Sequence, residues 1–471
     1  MIKCLVAFVF SVLVVHASGR DVQPAPLNEH VEAYRVEIIT PGGPLPFVMY
    51  SQTDPGGIPR AGVEYRQYWV IQNGDEIIKI PFEEVVVEHF GEGQSDLHKW
   101  SEWKRVTRRV SFDHYDSSFE WSQWMVHSVP VDEHNKKYEG VWRKRRGDSV
   151  IEVPIVVTPL GLKATHGMHI SMLHKSMLKL IDRFNPFPAS WDPDLDESIR
   201  FTGRWSVQFE KADGGAVAVF EVDENQKAKG TFQTTTGDYR FLEGRVDGRF
   251  LRLATFDGAH AFLFHAEMVS RNHIRGDFWS GNWWHETWTA VRDDDAQLPD
   301  AFEQTSITDE TALEELVFKD TEGNPTRVLD ALNETKAKAR ILEIFGTWCP
   351  NCSDAGRELV SLKEKYGDDL GIVGLAFEVT EDFERSAEQV KRHHAYIGTD
   401  WEILIAGLSD KAKATQTLGF LDKVRSYPTL VFMDEHNQVR AIYSGFSGPA
   451  TGDAYTQQRE RFEELIESML E

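Results

Sequence analysis

Apolar and polar positions follow two different rhythms along this chain. From about residue 20 to 195, short runs rich in Val, Ile, Tyr and Trp are broken by Gly/Pro clusters such as Pro41-Gly42-Gly43-Pro44 and Pro55-Gly56-Gly57. Runs such as 65–72 and 77–87 predict strands, because β-branched and aromatic side chains fit a pleated, half-buried surface. Residues 165–184 carry a helical pattern that stops at Asn185-Pro186-Phe187-Pro188, where a domain boundary is placed. From about 200 to 292 short strands return. Turn signals recur at Asp213-Gly214-Gly215, Thr236-Gly237-Asp238, Asp247-Gly248 and Asp257-Gly258. Asp-Gly between apolar alternations marks a hairpin, because such turns need positive φ. So many short strands close most simply as an antiparallel barrel or sandwich.

After residue 313 strands alternate with helices. The acidic stretch 293–312 before it reads as a linker. Residues 340–346, 370–377, 429–433 and 439–443 are short apolar runs and predict strands. Residues 351–366 place Ala355, Leu359, Leu362 and Tyr366 on one helical face, and 383–396 also predict a helix. Phe462, Leu465, Ile466, Met469 and Leu470 fall on one face of a last helix. The predicted class is therefore α+β multidomain. A β-rich N-terminal region (20–195, then a barrel or sandwich unit at 200–292) precedes a C-terminal α/β domain at 313–471.

The first 17 residues read as an export signal. Lys3 gives a positive start, residues 4–15 are apolar, and His16-Ala17-Ser18-Gly19 is a small-residue exit. The apolar run is shorter than the roughly 20 residues that span a bilayer. An N-terminal membrane anchor is the competing reading. Across 471 residues, hydrophobic residues are 41% and charged residues 27%, which suits a folded chain with several cores. The formal net charge of −24 argues against binding nucleic acid or anionic lipid, since it repels phosphate.

Three cysteines occur, Cys4, Cys349 and Cys352. Cys4 lies in the export segment, so cleavage near Ala17 leaves one local pair. An exported protein stapled by disulfides usually carries several pairs, and a loop this small stabilises little by chain entropy. Reactivity explains the pair better. Its place, after a predicted strand and at the start of a predicted helix, supplies the chemistry. Unpaired N–H groups and the partial positive end of the helix stabilise a thiolate there. Pro350 suits an early helical position, where its missing N–H costs nothing. In the expected cycle, Cys349 attacks a substrate disulfide as thiolate and forms a mixed disulfide. Cys352, one turn further in, then attacks Cys349 and releases reduced substrate. Half of a zinc site is an alternative, but no second CxxC or paired His motif lies nearby.

The segment Phe345-Gly346-Thr347-Trp348-Cys349-Pro350-Asn351-Cys352 resembles the active-site segment of TlpA/ResA-like thioredoxins, over roughly residues 313–471. Ser426-Tyr427-Pro428-Thr429 resembles that family's cis-proline loop, and Tyr443-Ser444-Gly445-Phe446-Ser447-Gly448-Pro449 its loop before the final helix. The resemblance implies that Pro428 faces the cysteines and helps receive the substrate backbone. It implies that Trp348 sits beside the reactive sulfur and that Glu343 is the buried acid relaying the proton of Cys352. It also implies a redox-active disulfide in place of any bound cofactor, protein disulfides or dithiols as substrates, a membrane thiol-reductase as electron donor, and the periplasm, with the extracellular space as second choice. The β-rich region resembles, more loosely, N-terminal extensions of some bacterial TlpA-like proteins, which implies an accessory module.

Two other functions stay open at this level. A thiol peroxidase shares the fold, but Phe345 rather than Pro precedes Cys349 by four residues and Thr347 lies two before it. A non-catalytic binding protein would use the β-rich region, where tryptophans concentrate at 279–288 and at Trp100, Trp103, Trp121 and Trp124. A β core filled by large rings accounts for the same tryptophans. His166 and His169 are spaced for metal, but histidines so placed are more often surface residues.

Overall fold

The computed structural model describes residues 31–52, 67–73, 76–82, 86–90, 107–111, 122–127, 138–146, 149–164 and 200–471, without 213, 258 and 259. The export segment, the helix expected over 165–184, the break at 185–193, Trp100, Trp103, Trp121, His166 and His169 lie outside the described residues.

The N-terminal region is one antiparallel sheet. Its strands are β1 (Val31–Thr40), β2 (Gly43–Gln52), β3 (Gln67–Asn73), β4 (Glu76–Phe82), β5 (Val86–Phe90), β6 (Thr107–Ser111), β7 (Ser122–His127), β8 (Tyr138–Arg146) and β9 (Ser149–Ala164). Their order is β4-β3-β2-β1-β9-β8-β7-β6-β5. The predicted run 77–87 divides into two strands, β4 and β5.

The next strands are β10 (Gly203–Phe209), β11 (Gly215–Val222), β12 (Lys227–Thr234), β13 (Gly237–Asp238), β14 (Leu242–Asp247), β15 (Phe250–Phe256), β16 (Ala261–Ser270), β17 (His273–Ser280) and β18 (Trp284–Arg292). β10 pairs with both β11 and β18, and β11 with β12, so eight antiparallel strands close into a barrel. The short β13 adds to β12. Strict alternation builds the lumen: Trp205, Val207 and Phe209 are buried while Ser206 and Gln208 face water. Phe232 stacks on Phe264 at 4.4 Å, Phe264 on Phe278 at 4.6 Å, and Trp288 meets Phe232 edge-on at 5.0 Å. Aromatic rings thus fill the barrel as a packed core. The tryptophan-rich run 279–288 is split by the same alternation. Trp288 points into the lumen, while Trp284 is 44% exposed under Lys211.

β16 is apolar on both faces for a reason. Phe262 and Phe264 belong to the lumen, and Ala261 and Leu263 pack with Phe256 against Val36, Ile38, Leu45, Trp142 and Ile155 of the first sheet. Phe47 and Trp142 reach Phe256 at 4.5 and 5.1 Å.

The C-terminal part comprises α1 (Glu310–Glu314), β19 (Val317–Lys319), β20 (Pro325–Arg327), α2 (Val328–Glu334), β21 (Ala339–Phe345), α3 (Pro350–Tyr366), β22 (Leu370–Glu378), α4 (Phe383–Ile397), β23 (Glu402–Leu408), α5 (Lys411–Leu418), β24 (Thr429–Met433), β25 (Val439–Ser444) and α6 (Asp453–Leu470). The sheet order is β20-β19-β23-β22-β21-β24-β25, with β21, β22 and β23 parallel and β24 and β25 antiparallel. Every residue of β21, β22 and β24 is buried. That explains their near-continuous apolar runs, since a central sheet covered by helices has no wet face. The hairpin β19–β20, β23 and the helices α1, α2 and α5 are additions to the elements expected from sequence.

The acidic stretch 293–312, read as a linker, is fastened along its length. Arg204 Nε donates to Ala296 O at 2.6 Å, Ser444 N to Ala301 O at 3.1 Å, and Thr308 N to Phe420 O at 2.9 Å. Phe302 packs edge-on to Tyr443 at 4.8 Å, and Asp300 pairs with Arg461 at 3.0 Å. Composition marks the carboxylates but not the few apolar side chains between them that anchor the strap.

Candidate functional site

The site begins where β21 ends. The chain leaves the sheet at Phe345, turns through Gly346-Thr347-Trp348, and enters α3 with Cys349 as its N-cap and Pro350 at the first helical position. Cys349 Sγ accepts the Cys352 N–H at 3.3 Å, so the helix start points an otherwise unpaired donor at the sulfur. The Cys349 thiol donates to Tyr427 O at 3.3 Å. Both cysteines are free thiols, so this is the reduced dithiol. Cys349 is 5% exposed and Cys352 fully buried. Burial pushes the Cys352 thiol far up, and the neighbouring Cys349 sulfur adds to it. Cys352 is therefore held protonated while Cys349 sits on the helix N-terminus, an asymmetry that suits attack by one and delayed attack by the other.

Glu343 lies on β21, 3% exposed, with burial pushing its carboxyl up to about 8. Its charge is felt at Cys352. A carboxyl with that affinity is able to take and return a proton near neutral pH. The Tyr427–Pro428 bond is cis, and Pro428 O accepts from Gly445 N at 2.9 Å, which brings the loop after β25 beside the cysteines. Trp348 donates its indole N–H to Phe377 O at 2.8 Å and meets Tyr427 edge-on at 5.5 Å. The structure thus brings Cys349, Cys352, Trp348, Pro350, Glu343 and Pro428 into one neighbourhood.

Several neighbours escaped sequence reasoning. Glu378, buried at the end of β22, accepts Thr347 N–H at 2.9 Å and Thr347 Oγ1–H at 2.6 Å, and so fixes the loop before Trp348. Lys411, at the start of α5, donates to Arg425 O at 2.6 Å and lies within electrostatic reach of Cys349. The barrel also reaches the site. Asp238 N–H points at Asn351 Oδ1 at 3.4 Å, between the two cysteines, and Gly448 N donates to Asp238 Oδ2 at 2.6 Å. Arg240, buried, pairs with Asp354 of α3 and with Asp257 at 3.2 Å, and His260 Nδ1 closes on Asp257 at 3.0 Å. Burial pushes Asp238 up to about 6, with Asp354 adding to the push. Burial also acts on Asp257, but His260 and Arg240 outweigh it and hold that carboxyl below its usual range. Thr236-Gly237-Asp238 was legible only as a turn. Nothing in its sequence indicates what it would dock against.

A parallel β21–β22–β23 core, antiparallel β24–β25, a CxxC capping the helix after the first core strand and a cis-proline loop facing it define a thioredoxin-like fold. Among known proteins, the chain is similar to the thioredoxin-like protein YneN of Bacillus subtilis (strain 168), with 28% identity over 115 residues, 24% of this chain. The match spans 61% of that relative's length. Solved structures that align with it include a secreted Mycobacterium tuberculosis disulfide oxidoreductase homologous to E. coli DsbE. That alignment has 13% identity, covers 32% of this chain and 97% of the other, and has a TM-score of 0.24. A DsbF homologue from Corynebacterium diphtheriae aligns at 17% identity over 35% of this chain and 93% of the other, with a TM-score of 0.26. No protein-family model matches the chain.

Proposed function

We propose that this protein is an exported thiol–disulfide oxidoreductase that reduces protein disulfides by dithiol exchange. The observation carrying this reading is the asymmetric pair: Cys349 Sγ on the N-terminus of α3 and Cys352 fully buried behind it. Cys349 thiolate attacks one sulfur of a substrate disulfide, and the other sulfur leaves as thiolate and takes a proton. Glu343 then accepts the Cys352 proton, Cys352 attacks Cys349, and the second substrate sulfur leaves. Two electrons pass to the substrate and a Cys349–Cys352 disulfide remains. Pro428 and Trp348 flank the attacked sulfur. Recharging needs an external dithiol, and a membrane thiol-reductase facing the periplasm fits the export signal read in residues 1–17. Among the described residues, no helix is long and apolar enough to cross a membrane.

Insulin reduction by single-cysteine variants of the full chain tests the reading. Cys349→Ser is expected to fall to the uncatalysed background. Cys352→Ser is expected to accumulate mixed disulfides visible on non-reducing gels. Full turnover in either variant overturns it, and peroxide consumption independent of Cys352 points to a thiol peroxidase instead.

A further inference from the structure

Dithiol exchange requires the attacked disulfide to lie in line with Cys349 Sγ, so whatever borders that sulfur selects the substrate. One border is Trp348, and another is the Tyr427–Pro428 loop. Two further borders, Asn351 and the loop from Gly445 to Gly448, carry the barrel turn that joins β12 to β13 and runs on to Arg240. The fit there is close. A Cβ on Gly237, whose φ is +152°, would fall 1.9 Å from Asn351 Nδ2, and one on Gly445 would fall 2.5 Å from Thr235 O. Asp238 grips Gly448 N–H, and Arg240 is locked between Asp354 on α3 and Asp257 in the barrel. The turn is stiffened internally too, by Thr234 Oγ1 accepting Thr236 N–H at 3.2 Å and by Arg240 N–H donating to Asp238 Oδ1 at 2.7 Å. A surface loop touching by chance has no reason to bury a carboxylate–guanidinium network at the contact, because desolvated charges are costly unless fully paired.

We infer that the barrel turn 235–240 is a fixed wall of the thiol site that selects disulfides by how they are presented. This rests on the oxidoreductase reading above. A small disulfide, or one carried on an extended segment, enters along the Trp348 side. A disulfide set in a folded protein surface must bring neighbouring chain over Asn351 and Gly445, and collides with the turn. The barrel is then a specificity element, and the preferred substrate class is disulfides in unfolded or flexible chain.

The test compares two rates on the full-length protein, reduction of insulin (disulfides in a folded protein) and of 5,5′-dithiobis(2-nitrobenzoic acid) (a small disulfide). Arg240→Ala removes the lock. Gly237→Val, independent of the charges, wedges the turn off Asn351. Arg249→Ala, at the opposite end of β14 beside exposed chain, serves as control. In Arg240→Ala and Gly237→Val the ratio of insulin to small-disulfide rate is expected to rise about tenfold, with no change in the control. A ratio that stays within about twofold of wild type in both variants, or that falls, overturns the wall. A wild-type small-disulfide rate equal to that of Cys349→Ser would instead remove the oxidoreductase reading itself, whatever the ratio does.

Discussion

Glu343 shows how one residue's burial becomes a property of the site. Its carboxyl is dry, so the charged form is penalised and the proton is held to about pH 8 rather than to the unfolded value of 4.5. Between those values the folded state binds more protons than the unfolded state. Stability is therefore greatest below pH 4.5 as far as this group is concerned, and falls as pH rises through the window to 8. Glu343→Gln keeps the shape without the charge. It is expected to flatten that slope and to stabilise the reduced protein at pH 8 by on the order of 3 kcal/mol relative to wild type. Urea unfolding at pH 5 and pH 8 measures this, and parallel pH profiles for both proteins would falsify the assignment. If the carboxylate relays the Cys352 proton, the same variant also lengthens the life of mixed disulfides.

At the scale of elements, the strap before α1 is the instructive case. Its acidic composition reads as a tether, yet Phe302 sits against Tyr443, Phe432 and Phe462, joining β24, β25 and α6. Phe302→Ala removes that partly buried wedge from beside the last helix. The expected cost is about 2 kcal/mol, below that of a fully buried phenylalanine, read as a lower melting temperature of the α/β domain. A change under about 0.5 kcal/mol would mean the strap lies on the surface without supporting it. Helix α3 is also held near its N-terminal end from two sides: Thr347, in the loop before it, anchors to Glu378 of the sheet, and Asp354 pairs with Arg240 of the barrel.

Across the whole molecule, the barrel is joined to its neighbours by two different kinds of contact. Toward the first sheet it offers Phe256, Ala261 and Leu263, an apolar face. Toward the α/β domain it offers Arg240, Asp238 and Asp257, a polar one. Removing the Arg240 side chain leaves Asp257 with His260 and Asp354 with Arg357, each losing its most buried cation. Because each carboxylate keeps a second cation, the cost is expected to fall below the roughly 3–5 kcal/mol of a buried pair left with an uncompensated charge. Arg240→Ala is therefore expected to split thermal unfolding into separate barrel and α/β transitions in scanning calorimetry, where the wild type is expected to unfold them together. A single unshifted transition would show that the network couples nothing.

The chain's own pattern determined its local structure and its chemistry. Period-two alternation specified the barrel strands, and Asp-Gly pairs marked turns such as that at Gly248, whose φ is +55°. Continuous apolar runs specified β21, β22 and β24, because a strand buried on both faces has no polar side to write. CxxC after such a run located the sulfurs, since the helix N-terminus that serves them is a local feature. Only the tertiary structure decided that Gly237 and Asp238, over a hundred residues earlier, lie against Asn351, that Glu378 braces Thr347, and that Phe302 anchors an acidic strap. Contacts between distant segments depend on how finished surfaces match in shape and charge, and no periodicity within either segment records the other.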